Sequence, residues 1–219
     1  MSQGDSASVE RVRSRARKRA ESRRRILDSA REVFFRDGFM AANLDEVAER
    51  AAVAKGTLYR YFDNKADLYV GVLADNSAVF TERMRETAAG NGPALERIRG
   101  LAQFYFDHWA RHQEYFHIFW AIDNQNVIGT LPAGVVDEVA RLFESCVTIL
   151  HSVVDEGVRA GELVDCDSWG VANLLWTAAN AVIQSDGSET RRKIRRGSLE
   201  DAYALSVDVI LSGLRVPSA

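Results

Sequence analysis

The chain has 219 residues, of which 47% are hydrophobic and 27% are charged, as expected of a globular protein with a substantial core. Its three prolines and the scarcity of alternating β-branched residues favour an all-helical fold. Residues 1–65 hold 15 Lys and Arg against 10 Asp and Glu, whereas the remainder holds 13 against 21. This asymmetry predicts that only the basic first third contacts a polyanion.

Several functional classes are disfavoured at once. Cys146 and Cys166 form no CxxC motif, so we expect two reduced thiols, with a redox switch as the alternative. The sequence contains no apolar run near the ~18 residues of a membrane span and no apolar signal core, so we expect a cytoplasmic protein. Motifs such as GxSxG, HExxH or a Gly-rich phosphate loop are also missing, so we expect neither an enzyme nor a cofactor.

The first predicted feature in chain order is a basic, flexible arm over residues 1–21. It begins with a Ser-, Gly- and Ala-rich stretch and continues with six basic residues between Arg11 and Arg19. The arm is either a solubilising tail or a segment that touches phosphates, and the composition leaves both alternatives open.

Three short elements follow the arm. Apolar residues at helical spacing predict a helix from Ser22, which Gly38 ends. Asn43 has the character of an N-cap, with Glu46 three residues later as in a capping box. A break over residues 51–54 then precedes a second short helix.

Residues 43–65 predict a helix-turn-helix, because two short helices are separated by a tight break. Leu58 and Phe62, four residues apart, share the inner side of the second helix. The residues left outward or flanking are Lys55, Gly56, Thr57, Tyr59, Arg60 and Tyr61. The alternative is an amphipathic helix pair whose basic residues are merely solvated.

The outward residues have the chemistry of a DNA reader. Lys55 can reach phosphate or a guanine edge, and Arg60 has the fork that fits guanine. Gly56 allows backbone to approach a groove edge closely, and Tyr59 offers a hydroxyl or a ring. Lys65 begins the next helix, whose free N–H groups also favour a phosphate.

The stretch over residues 22–70 resembles the TetR family of bacterial repressors. The residues that carry the resemblance are Gly38-Phe39, Val47-Ala48, Val53, Lys55-Gly56-Thr57-Leu58-Tyr59, Tyr61-Phe62, Lys65 and Leu68. The resemblance implies a three-helix DNA-binding head on a helical ligand-binding body, and a homodimer in which the last two long helices of each subunit form a four-helix bundle. It places DNA contacts on Asn43, Lys55, Gly56, Thr57, Tyr59, Tyr61 and Lys65.

Three positions depart from the family pattern. Ala42 stands where Thr is frequent, so a hydroxyl contact to phosphate is lost or passes to Asn43. Ala52 stands where Gly is usual, which costs about 1 kcal/mol if the position needs a positive φ. Ala54 replaces a frequent Ser and removes an N-cap worth roughly 1 kcal/mol. Together these changes predict a less rigid head.

The remaining chain predicts further helices and a domain boundary. We expect the DNA-binding domain over residues 22–68 and a ligand-binding and dimerisation domain over residues 69–219. The predicted helices, about nine in all with those of the head, cover residues 65–87, 93–112, 114–124, 135–160, 168–184 and 198–212, with a polar, basic loop over residues 185–197.

Large rings mixed with a few polar groups predict a small-molecule pocket among the middle helices, although a plain helix-bundle core is the alternative for each ring. The candidates for an apolar or aromatic ligand are Phe104, His108, Phe116, His117, Phe119, Trp120, Asp123, Phe143 and Trp176. His117 or Asp123 would meet a polar end of that ligand. His108 and His112 are four apart but have no further ligand at metal spacing, so we expect no metal site.

These features predict a homodimeric regulator of transcription that acts as a repressor. It would release a palindromic DNA operator when a small apolar or aromatic effector binds the C-terminal domain. An architectural DNA-binding protein without a ligand is one alternative. An activator is another, because the sign of regulation depends on where the operator lies.

Overall fold

The computed structural model describes residues 3–111, Phe116 and residues 133–217. Over these residues the fold is all-α, as predicted, with an isolated antiparallel bridge between Leu163 and Arg215. The helices, numbered here in chain order, are α1 (Gln3–Ala41), α2 (Leu44–Arg50), α3 (Lys55–Leu58), α4 (Lys65–Ala88), α5 (Ala94–Arg111), α6 (Ala133–Arg159), α7 (Ser168–Ser185), α8 (Glu189–Ile194) and α9 (Leu199–Gly213). Of these described helices, none is both long and apolar enough to cross a membrane.

The first helix begins earlier than predicted. The sequence predicts a helix from Ser22 after an irregular arm, whereas α1 is helical from Gln3. Residues 11–21 are rich in arginine and alanine, which favour the helix, and Arg17 pairs with Glu21 one turn later at 3.2 Å. Local helix propensity therefore explains why the basic segment continues α1.

Gly38 interrupts α1 where the sequence predicts the helix end. Its φ of 73° and ψ of 171° are non-helical, and the positive φ favours glycine. The carbonyl of Gly38 then accepts a hydrogen bond from the Ala42 N–H at 3.2 Å. This turn brings the chain to Asn43, which begins the next element.

Asn43 caps α2 as predicted, because its side-chain oxygen accepts a hydrogen bond from the Asp45 N–H at 2.9 Å. Glu46 does not close the predicted capping box. Its carboxylate is instead held by two hydrogen bonds of 2.7 Å from Arg36 and one of 2.8 Å from Arg50. Glu46 therefore joins α1 to α2 and leaves the cap to Asn43 alone.

The second short helix is shorter than predicted. It is α-helical from Lys55 to Leu58 and continues as turns, in which the N–H groups of Tyr61 and Phe62 donate to the Leu58 carbonyl at 2.9 and 3.1 Å. Asn64 then caps α4, since its side chain accepts from the Asp67 N–H at 2.9 Å.

The described residues form two compact units, residues 3–76 with 133–136 and residues 77–111 and 116 with 137–217. The core of the first unit is built by α1 to α4, and Phe34 packs edge-on against Tyr69 with ring centroids 5.1 Å apart. Its fully buried residues include Ile26, Leu27, Val33, Phe34, Val47, Leu58 and Leu68. The first unit therefore holds the predicted helix-turn-helix.

The second unit is a bundle in which α5 packs against α7 and α9. Asp167 caps α7, since its side chain accepts a hydrogen bond from the Gly170 N–H at 3.1 Å. The predicted loop over residues 185–197 is wrong in part, because it contains α8. Ser188 caps that helix, and Lys193 pairs with Glu189 at 2.7 Å.

Candidate nucleic-acid interface and ligand site

The helix-turn-helix is held together from its inner side. Val47, Leu58 and Phe62 are buried, and the turn is closed by the Val53 N–H, which donates to the Ala48 carbonyl at 3.0 Å. Because these inner contacts use the apolar side chains of both short helices, the polar side chains of α3 are left on the outside.

We call the outward residues predicted from sequence the reading face. The structure brings all six of them together on α3 and the turns that follow it: Lys55, Gly56, Thr57, Tyr59, Arg60 and Tyr61. Lys55, Gly56, Tyr59 and Arg60 are exposed, whereas Thr57 and Tyr61 are half-buried. Tyr59 leaves 43% of its surface open although it is a large aromatic residue. An exposed ring between two cations suits contact with a nucleic acid.

Gly56 is the most informative residue of the reading face. A Cβ atom built at this position would meet nothing within 4 Å among the described residues, and its φ lies outside the positive region. Neither packing nor backbone geometry therefore requires glycine here. Glycine in a helix costs roughly 0.5–1 kcal/mol relative to alanine. The residue is explained if an external surface must approach the backbone at this point.

Lys55 and Asn43 both engage α2. The Lys55 ammonium lies 2.6 Å from the Asp45 carboxylate, and this contact raises the pKa of Lys55. The Asn43 side chain is used as the cap of α2. Both residues remain exposed, so a phosphate can reach them, although each must share or exchange its internal partner.

Lys65 has internal partners at the end of α1. Its ammonium donates to the Met40 carbonyl at 2.9 Å and lies 5.3 Å from the centre of the Phe39 ring. Partial burial lowers its pKa. The structure thus gives Lys65 a role in joining α4 to α1, and its predicted contact with phosphate stays a prediction.

Arginines of α1 approach the reading face, a relationship that sequence reasoning missed. The Arg19 guanidinium lies 5.9 Å from the centre of the Tyr61 ring, and Arg23 lies 5.4 Å from that of Phe62. The basic run over residues 11–19 was the available signal. Because the segment is helical and continuous with α1, Arg19 and Arg23 lie beside the turns that follow α3.

The three departures from the family pattern have visible structural counterparts. Ala42 is 6% exposed and packs in the core. Ala52 has a φ of 52°, so this position does adopt the left-handed conformation that favours glycine. Ala54 begins α3 without a side-chain cap.

The predicted ligand residues of the second unit form a packed aromatic cluster. Phe80 of α4 lies 5.4 Å from Phe104 and 4.6 Å from His108, measured between ring centroids. Trp176 lies 6.2 Å from Phe143, and Phe116 is buried 5.4 Å from Trp109. The other four candidates lie outside the described residues: His117, Phe119, Trp120 and Asp123.

An apolar cavity of about 30 Å³ adjoins this cluster. Its described walls come from α4, α5, α6, α7 and α9: Met84, Ile98, Leu101, Ala102, Tyr105, Leu150, Leu175, Trp176, Ala179, Tyr203 and Val207. Ligand pockets for drug-sized molecules occupy roughly 300–1,000 Å³. A ligand of that size would therefore have to enlarge this cavity.

Tyr105 joins the cavity to a buried amide that sequence reasoning did not select. Its hydroxyl donates to Asn180 Oδ1 at 2.5 Å. Burial raises the pKa of Tyr105 well above its ordinary value, as do Cys146 and Tyr203, while hydrogen bonds with Trp109 and Asn180 act in the opposite direction. The phenol is consequently neutral, and it positions the amide of Asn180.

Comparison with known proteins adds family relationships to this geometry. Residues 26–72 match the family model described as bacterial regulatory proteins, tetR family. This range contains α2, the turn, α3 and the first part of α4, so the match coincides with the reading face and the core that supports it.

Similar curated proteins are regulators. The fatty acid metabolism regulator protein of Bacillus subtilis is 26% identical over 138 residues, which cover 63% of this chain and 69% of that protein. The HTH-type transcriptional activator FasR of Mycolicibacterium smegmatis is 28% identical over 144 residues, which cover 65% of this chain and 64% of that protein.

A solved structure with the same fold is the transcriptional regulator FadR from Bacillus subtilis in complex with stearoyl-CoA. The TM-score is 0.70 with 20% sequence identity, over 87% of this chain and 98% of that chain. At this identity the similarity concerns the fold.

Proposed function

We propose that the chain is a DNA-binding regulator of transcription of the TetR family, one that responds to a small apolar or aromatic effector. The observation that carries the DNA-binding role is the reading face, where exposed Lys55, Tyr59 and Arg60 surround a glycine that the protein itself does not require. A binding protein of this kind needs no catalytic residues, and it acts in the cytoplasm, where the bacterial chromosome lies.

The reading face would contact two parts of a DNA duplex, the phosphate backbone and the base edges in the major groove. Lys55 and Tyr59 suit phosphate contacts, which provide affinity and register. Arg60 has the planar fork for a guanine edge in the major groove. Gly56 lets the backbone of α3 approach the groove edge.

We assign the basic N-terminal segment to the same interface. Arg19 stacks near Tyr61, so the exposed arginines that precede it on α1 lie on a helix that passes the reading face. This arrangement favours phosphate contact over a purely solubilising role. Removal of residues 1–18 should reduce the salt dependence of DNA binding, and an unchanged salt slope would argue for the solubilising tail.

A homodimer is supported by an exposed apolar face on the two packed helices α7 and α9. Leu205 and Val209 of α9 are each 64% exposed and lie one turn apart, and Leu174 of α7 is 54% exposed. Monomeric proteins rarely leave contiguous apolar surface of this kind open to water. A second copy of the same face would cover it and give two reading faces for a palindromic operator.

The effector would bind at the aromatic cluster. Phe104 and His108 provide ring surfaces in the cluster, and Trp176 lines the adjoining apolar cavity, which is too small for a ligand in its present form. A ligand that binds the enlarged state more tightly shifts the population toward that state. If the protein with the enlarged cavity binds the operator less well, binding of the effector lowers the affinity for the operator.

α4 is the connection through which such a change would act. Leu68 and Leu73 of α4 are buried in the first unit, and Phe80 and Met84 of the same helix are buried in the second. Release of the operator on effector binding is the behaviour of a repressor. The activator FasR among the relatives is consistent with a sign of regulation that depends on the position of the operator.

Selection of bound duplexes from a random pool tests this function, with binding of the winner measured in rising salt. We expect a palindromic site and an observed affinity that falls steeply with salt concentration. A dimeric, effector-free protein that shows no preference for any duplex over competitor DNA would overturn the proposal.

A further inference from the structure

Asn180 is a buried amide with an unused donor. It lies on α7 with 2% of its surface exposed, and its Oδ1 accepts the hydrogen bond from the Tyr105 hydroxyl. Its Nδ2 is also buried and has no hydrogen-bond partner among residues 3–111, 116 and 133–217. Most buried polar side-chain atoms are paired, so this donor requires an explanation.

The hydrogen bond from Tyr105 accounts for the amide oxygen of Asn180, but no contact among the described residues accounts for its Nδ2 donor. A buried donor without an acceptor destabilises the folded state, whereas an apolar residue of similar shape would avoid that penalty. Leucine matches asparagine closely enough in size to fill such a position, and Leu175 is a buried leucine five residues earlier on α7.

The apolar cavity is lined by neighbours of Asn180 but not by Asn180 itself, so the enlargement that a ligand requires would have to reach Nδ2. Three of the residues that line the cavity are close to Asn180. Tyr105 is its hydrogen-bond partner, and Trp176 and Ala179 are its near neighbours on α7. The other hydroxyl of the lining belongs to Tyr203, which donates to the Ala102 carbonyl at 2.9 Å. Among the described lining residues there is no Lys, Arg or His.

The lining residues and the Asn180 donor together limit which kinds of ligand could bind in this cavity. An anionic group would be buried in this lining without a countercharge, which is strongly unfavourable. An uncharged oxygen acceptor would pair with the unused N–H and leave the apolar remainder of the molecule against the cavity walls.

We propose that Asn180 Nδ2 donates a hydrogen bond to an uncharged carbonyl oxygen of the effector, a ketone, ester or thioester on an apolar body. The inference rests on the proposed effector site and deepens it, because it names the group that distinguishes one apolar molecule from another. Tyr105 holds the amide so that Nδ2 points away from the tyrosine hydroxyl. Asn180 is then the residue that determines specificity.

Matched pairs of probes that differ only in a carbonyl test the proposal on the full-length dimer. Benzophenone is compared with diphenylmethane, and 2-tridecanone with tridecane, using quenching of tryptophan fluorescence to measure Kd. The wild-type protein should prefer the ketone of at least one pair by about tenfold. In Asn180→Leu the ketone should lose this preference while the hydrocarbon binds as before.

A double variant separates specificity from structure. Because Asn180→Leu alone would leave the buried Tyr105 hydroxyl without its acceptor, stability is measured on the double variant Tyr105→Phe/Asn180→Leu. This variant removes both partners together with the unpaired donor, so its Tm should equal or exceed that of the wild type. Asn173→Leu, the same substitution at an exposed position of α7, is the matched control and should keep the ketone preference. A Tm that falls by several degrees together with a retained ketone preference would assign Asn180 to structure and overturn the proposal.

Failure of this inference is distinguishable from failure of the proposed function. Wild-type protein that binds neither ketone, or binds ketone and hydrocarbon equally, overturns the role of Asn180 even when operator selection succeeds. Absence of any operator overturns the regulatory function independently of ligand binding. The control variant Asn173→Leu should select the same operator with unchanged affinity in the absence of a probe.

Discussion

The Lys55 ammonium lies 2.6 Å from the Asp45 carboxylate, so the first residue of α3 is paired with the first turn of α2. Both side chains are more than half exposed, and Lys55 belongs to the reading face. A carboxylate at this position repels phosphate and competes with it for the lysine.

Replacement of Asp45 by asparagine should therefore strengthen DNA binding. Asp45→Asn removes a negative charge from the interface and frees Lys55, so the Kd for operator and for random duplex should both fall, by roughly fivefold at low salt. Fluorescence anisotropy with labelled duplexes measures this. Glu49→Gln, which removes an exposed charge elsewhere on α2, is the control and should have a smaller effect. Equal effects of the two variants would show that loss of the ion pair with Asp45 does not strengthen the contact between Lys55 and DNA.

Gly56→Ala should separate stability from DNA binding. The added methyl group meets open space among the described residues, and alanine favours a helix over glycine by about 1 kcal/mol, so the urea midpoint should rise. The same methyl group lies where DNA must approach, and operator affinity should fall at least tenfold. Gly134→Ala on α6, also open at its Cβ, should raise stability without changing DNA binding. Unchanged operator affinity in Gly56→Ala would remove Gly56 from the interface.

The turn of the helix-turn-helix should accept two stabilising substitutions. Ala52→Gly relieves the left-handed backbone at φ 52° and should raise the free energy of unfolding by about 1 kcal/mol. Ala54→Ser restores an N-cap to α3, worth roughly 1 kcal/mol. Urea unfolding followed by circular dichroism measures both. If neither variant is more stable than the wild type, the head is not less rigid for these reasons.

The Arg36–Glu46–Arg50 network should make the stability of the head depend on pH. Hydrogen bonds from Arg36 and then Arg50 lower the pKa of Glu46 from 4.5 to about 2. A carboxyl group whose folded-state pKa is lowered stabilises the protein above its unfolded-state pKa, and this contribution is lost as the pH falls from 4.5 toward 2. Glu46→Gln should lower the urea midpoint at pH 7, and the difference from wild type should shrink below pH 4.5. A difference that is constant between pH 7 and pH 3 would contradict this.

The apolar face of α7 and α9 should control the oligomeric state. Leu205→Glu together with Val209→Glu puts two like charges on the face of each copy, so the dimer should dissociate to monomers in sedimentation experiments. Operator affinity should fall as well, because each monomer has a single reading face. Val79→Glu changes an equally exposed apolar residue of α4 and should leave the dimer intact. A double variant that remains dimeric would place the interface elsewhere.

Sequence alone determined the helix boundaries where the signals are local. Asn43, Asn64 and Asp167 cap their helices through hydrogen bonds that reach only two or three residues along the chain, and Gly38 marks a break by its own conformation. The inner and outer sides of α3 also followed from sequence, because helical periodicity places Leu58 and Phe62 together. Where other partners compete for a side chain, as Arg36 of α1 and Arg50 of α2 do for Glu46, the prediction of a capping box was wrong.

Only the tertiary structure decided which distant side chains meet. Tyr105 and Asn180 are 75 residues apart, and no periodic pattern indicates that the hydroxyl of one would occupy the amide oxygen of the other. The same holds for Lys65, whose partner Met40 lies 25 residues earlier, and for Arg19 beside Tyr61. Caps and periodicity depend on chain geometry over a few residues, whereas these contacts depend on how whole helices pack.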